Sequence, residues 1–73
     1  MLDLRRLPAP EPLLRALAAS ESLPAGVSLV LLTPWLPVLV QLLEAQGLEA
    51  AVEMLQDETA RIRVHRPARE RQG

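Results

Sequence analysis

Residues Leu7-Pro8-Ala9-Pro10-Glu11-Pro12 have the types and spacing of a chemical site. They read as a proline-stiffened turn that delivers the chain into the start of a helix. Proline suits the first turn of a helix, where its missing N–H would have had no partner. The exposed amides and positive dipole end of such a start can hold an anion or activate a thiol. The residue at the centre of the turn is Ala9, and the 73 residues contain no cysteine. Cysteine nucleophiles, disulfides and thiolate metal sites are therefore excluded. The turn can still hold a small anion or a peptide carboxylate, or the prolines simply stiffen it, and the second reading is favoured. Arg6, with Arg5 beside it, could add a bidentate contact to an anion, although neighbouring strand positions point to opposite faces. The candidate ligand-binding set is Arg6, Pro8, Ala9, Pro10 and Glu11, joined by Trp35 from a second loop.

Trp35, between Pro34 and Pro37, is the sole aromatic residue. It either anchors a partner or caps a core that has no other aromatic side chain. His65 is the sole histidine, so no zinc or haem site can be completed around it, and no metal or cofactor is expected. Glu49, Glu53, Asp57 and Glu58 lie near Arg61 and Arg63 in a hairpin pattern, which cross-strand ion pairing explains. Asp3 reads as an outward carboxylate pairing across to an arginine. Arg61, Arg63, Arg66, Arg69 and Arg71 raise the question of RNA. Base-stacking aromatics are missing and the pI is 5.7, so nucleic acid is not the expected partner.

The elements that would position these residues follow from periodicity. Leu2-Asp3-Leu4-Arg5 alternates as a short strand does. A helix runs from the proline turn to about Glu21, with Leu13, Leu14 and Leu17 on one face. After the turn at Leu23-Pro24-Ala25-Gly26, Val27 to Leu32 is a nearly all-apolar strand, the pattern of one buried on both faces or in mid-sheet. Thr33 reads as the N-cap of a second helix that ends at Gly47. Leu48–Leu55 and Thr59–His65 alternate around a polar turn at Gln56-Asp57-Glu58, as an antiparallel hairpin with one wet face. The order is βαβαββ. Right-handed crossovers put both helices on one side of the sheet, an α+β two-layer sandwich with a four-stranded mixed sheet. Residues 1–66 are expected to form one domain and 67–73 a polar, flexible tail, whose polar composition already begins at Arg66.

An apolar fraction of 49% is enough for a core, and the net charge is −1. Charge is nonetheless uneven: residues 1–60 hold three arginines against eight carboxylates, and 61–73 five arginines against Glu70. The start of the chain has no basic-then-apolar leader, and the apolar stretch 29–40 is too short and broken to span a bilayer. A cytoplasmic location, away from membranes, is the expectation.

The strand, Leu7-Pro8-Ala9-Pro10-Glu11-Pro12 and the helix resemble the CPxP opening of the TusA/SirA-like sulfur carriers, and the order of elements agrees over roughly residues 2–66. That resemblance implies a sandwich similar to the C-terminal domain of bacterial translation initiation factor three. In that family a cysteine before the first proline carries a persulfide to partner enzymes. Ala9 stands at that place here, and Arg6 stands where a glycine is usual. The chain looks more like the cysteine-less relatives, a bacterial family of unknown function with an LxxLPxPEPL-like opening, found alone or fused to hemerythrin-like domains. The resulting expectation is a non-enzymatic interaction or small-ligand module. Its partner would be another protein or a small anion, with a homodimer as a further option. The alternatives are a sulfur-relay accessory working with a thiol-bearing partner, and RNA binding through the C-terminal arginines.

Overall fold

The structure, a computed structural model, describes residues 1–68. Its elements are β1 (Leu2–Asp3), α1 (Glu11–Glu21), β2 (Ser28–Pro34), α2 (Pro37–Ala45), β3 (Glu49–Met54) and β4 (Thr59–His65). The four strands form one sheet in the order β1-β2-β4-β3. β1 pairs parallel with β2, and β4 runs antiparallel to both β2 and β3. The expected mixed sheet with two helices is therefore what the chain forms.

Alternation decides what each strand contributes. Ala60, Ile62 and Val64 of β4 are fully buried toward the helices, opposite Thr33, Leu31 and Leu29 of β2. Leu39 and Leu43 of α2 and Ala16 of α1 close the core from above, with Leu4 and Leu48 completing it. The other face is open. There Val30 and Leu32 of β2 lie opposite Arg63 and Arg61 of β4, so the apolar run of β2 is half-buried on that side rather than sandwiched.

Helix ends follow local chemistry. α2 stops at a Schellman turn: the Gly47 N–H donates to the Glu44 carbonyl and the Leu48 N–H to that of Leu43. Gly47 has φ 81° there, a conformation that costs glycine little. At the C-terminal end of α1, Arg66 Nε donates to the Leu23 carbonyl at 2.5 Å and Nη2 to the Ser20 carbonyl at 3.2 Å. The main chain of Arg66 also exchanges hydrogen bonds with Gly26 and Val27.

Four sequence expectations are corrected. Thr33 does not cap α2: it is a fully buried residue of β2, its hydroxyl donates to the Pro34 carbonyl, and Leu36 holds the N-cap position. The strand continues because Thr33 is opposite Ala60 in the ladder. Arg66 is not the start of a tail, since both its main chain and side chain are held. Asp3 pairs with Arg5, two residues on in the turn after β1, rather than across the sheet. Of the hairpin carboxylates, Glu53 is the one that pairs with an arginine, Arg61, among the described residues. Arg69 and Arg71 lie outside those residues, as does most of the expected tail. Among the described residues no helix is long and apolar enough to cross a membrane.

Candidate functional site

Because β1 and β2 are parallel, their C-terminal ends lie at the same end of the sheet. The proline turn follows one and the Trp35 loop the other, so the two sets of candidate residues share that end. The β3–β4 turn reaches it too: the Trp35 N–H donates to the Glu58 carbonyl at 3.0 Å. Trp35 is 38% exposed and is not part of the core cluster. Leu36, its neighbour, packs inward against the core.

The proline turn itself is tightly closed. The Ala9–Pro10 peptide is cis, and Pro8, Ala9 and Pro10 are all exposed. The Glu11 N–H, first of the helix, donates to the Pro8 carbonyl at 2.8 Å. Pro12, the second residue, has no N–H and is buried. The Leu14 N–H is already taken by the Pro10 carbonyl at 3.2 Å. Of the first helical amides among the described residues, that of Leu13 is left for a ligand. The Glu11 carboxylate already stands at the positive end of the dipole, paired with Arg15 one turn on at 3.2 Å. A second anion would meet one free amide and a resident negative charge.

Arg5 is committed as well. Its Nε and Nη2 bond the two carboxylate oxygens of Asp3 at 2.9 and 2.7 Å, and its main-chain N–H adds a third bond at 3.0 Å. These hydrogen bonds hold the Asp3 carboxyl well below the usual carboxylate range. Arg6 is exposed, with no carboxylate at ion-pair distance among the described residues. His65 is half-buried on the open face, and its Nδ1 shares a 2.9 Å hydrogen bond with the Ser28 hydroxyl.

A crystal structure of a SirA-like protein from Desulfitobacterium hafniense superposes on this chain with a TM-score of 0.65. The match covers 86% of this chain and 90% of that one at 19% identity. The fold is SirA-like. No family model and no curated protein matches the chain. The likeness extends to the fold alone, and the SirA-like scaffold here carries Ala9 in its opening turn.

Sequence reasoning overlooked a feature of this SirA-like sheet. On the open face a shallow groove runs between β2, β4 and β3, and Arg63 stands in it between Val30 and Ala51. Beside it, Val52 and Met54 of β3 face the helix side but remain 38% and 51% exposed. Alternation correctly assigned their face. It could not reveal that the helix layer leaves this end of β3 uncovered.

Proposed function

We propose that the chain is a non-catalytic interaction module that contacts another protein through the sheet end carrying the proline turn and Trp35. The observation that carries this reading is Trp35: exposed, outside the core, and fixed at its main chain by the turn at Glu58. A large aromatic side chain on a braced backbone loses little freedom on binding and offers much area. A protein is favoured over a small anion because the start of α1 has so few amides to offer. Carrier chemistry is disfavoured because Ala9 can neither ionise nor take up sulfur. A cytoplasmic setting belongs to the same proposal.

The test is site-specific photo-crosslinking in cells that make the chain, with a photoreactive phenylalanine analogue replacing Trp35 or, as control, Ala18 on the exposed side of α1. A discrete adduct at position 35 and none at 18 is expected. Identical adducts at both positions, or none at 35, would refute the proposal.

A further inference from the structure

We propose that β3 pairs antiparallel with β3 of a second copy of this chain, about a two-fold axis through Val52, to give one continuous eight-stranded sheet. β3 is an edge strand whose outer side meets no other strand among the described residues. It has no proline or lysine between Glu49 and Met54, and its charges are the two carboxylates Glu49 and Glu53.

The hydrogen-bonding phase of the hairpin fixes which groups point outward. The Leu55 N–H donates to the Thr59 carbonyl at 2.7 Å. Alternation along an antiparallel ladder then turns the main chains of Glu53, Ala51 and Glu49 toward β4. Those of Ala50, Val52 and Met54 aim their N–H and C=O groups out of the sheet. The same three residues put their side chains on the helix face, where Val52 and Met54 are exposed.

Charge selects the register. With the axis on Ala51, Glu49 would face the partner's Glu53; with the axis on Glu53, the two Glu53 side chains would face each other. Like charges directly opposite are unfavourable. With the axis on Val52, Val52 meets the partner's Val52, and Ala50 meets the partner's Met54, which covers the exposed apolar groups. On the open face Ala51 then lies beside the partner's Glu53.

That placement also gives Arg63 a partner. Among the described residues the ion pairs are Asp3–Arg5, Glu11–Arg15 and Glu53–Arg61, and Arg63 is in none of them. Its ladder neighbours are Val30 and Ala51. Two strand spacings, about 9.6 Å, separate Arg63 from the partner's Glu53 across the small Ala51 side chain. An arginine and a glutamate can close that span. Each Glu53, bound to its own Arg61, would gain the second copy's Arg63.

The experiment uses the full chain, which has no native cysteine. Residues directly opposite in a hydrogen-bonded antiparallel pair have Cα atoms about 5.5 Å apart, within the range a disulfide spans. Under mild oxidation, Val52→Cys should cross-link to itself much faster than Ala51→Cys or Glu49→Cys, which face other residues across the axis. In sedimentation equilibrium the native chain should approach twice its 8.0 kDa mass. Val52→Lys should remain a folded monomer by circular dichroism, and Arg63→Glu should raise the dimer dissociation constant by about tenfold at low salt. A native chain that stays monomeric at its highest soluble concentration would overturn the proposal. So would a dimer unaffected by Val52→Lys, or cross-linking no faster at position 52 than at 51.

Discussion

Arg66 Nε donates to the main-chain oxygen of Leu23 at 2.5 Å, joining residues 43 positions apart. With its second bond to the Ser20 carbonyl, the guanidinium satisfies oxygens at the end of α1 and sets a positive charge at the negative end of the dipole. No basic residue lies in the last turn of α1 itself. Arg66 supplies from the end of β4 what the helix lacks.

Arg66→Ala should therefore lower stability by about 1–3 kcal/mol, the range for charged hydrogen bonds that are partly buried. Urea denaturation of the two chains measures it. Arg66→Lys should recover only part of the loss, because an ammonium does not reproduce the two-pronged fork.

Ser20 is fully buried, and its hydroxyl has no hydrogen-bond partner among the described residues. An unsatisfied buried hydroxyl is costly, and alanine is the better helix former. Ser20→Ala should raise the urea midpoint, with a gain of about 1 kcal/mol. A drop in midpoint would mean that the hydroxyl has a partner.

Asp57 and Glu58 adopt φ of 61° and 57°, with the Thr59 N–H closing onto the Gln56 carbonyl. This is the backbone of a type I′ turn, which favours Asn-Gly. Aspartate tolerates the left-handed region better than glutamate does. Glu58→Gly should stabilise the hairpin by about 0.5–1 kcal/mol, the strain relieved exceeding the added freedom of the unfolded chain. Thermal unfolding followed by circular dichroism would register it.

Arg5 depresses the pKa of Asp3 in the folded state, whereas an unfolded aspartate carboxyl titrates at about 3.9. The contribution to stability is therefore present above about pH 4 and is lost as pH falls toward the folded value. Both side chains are exposed, so the effect is small. Asp3→Asn should lower stability at neutral pH, and the gap between variant and native chain should narrow on acidification below about pH 4. A gap that widens in acid would reverse the sign of this linkage.

Much of the fold was legible because its signals are local. The alternation of Ala60, Ile62 and Val64 gave the core face of β4, and Gly47 marked the end of α2. Thr33 misled because a threonine before proline reads as a cap, while its burial opposite Ala60 is a tertiary fact. Arg66 misled because its acceptors lie more than 40 positions away. At the proline turn, residue types identified the helix start correctly. The consumption of its amides by the Pro8 and Pro10 carbonyls depends on backbone geometry that composition does not carry. The exposure of Met54 and Val52 depends on where the helix layer stops, and no periodicity records that.

We propose that the opening turn of this SirA-like scaffold serves protein contact and holds neither sulfur at Ala9 nor an anion at the one free amide, that of Leu13. A proton–nitrogen correlation titration of the labelled chain with thiosulfate, and separately with sulfate, tests it most directly. The amides of Leu13 and Leu14 are expected to show no saturable shift beyond that produced by matched chloride. Saturable shifts centred on those amides, spreading to Arg6 and Glu11, would contradict the claim and make the turn an anion site.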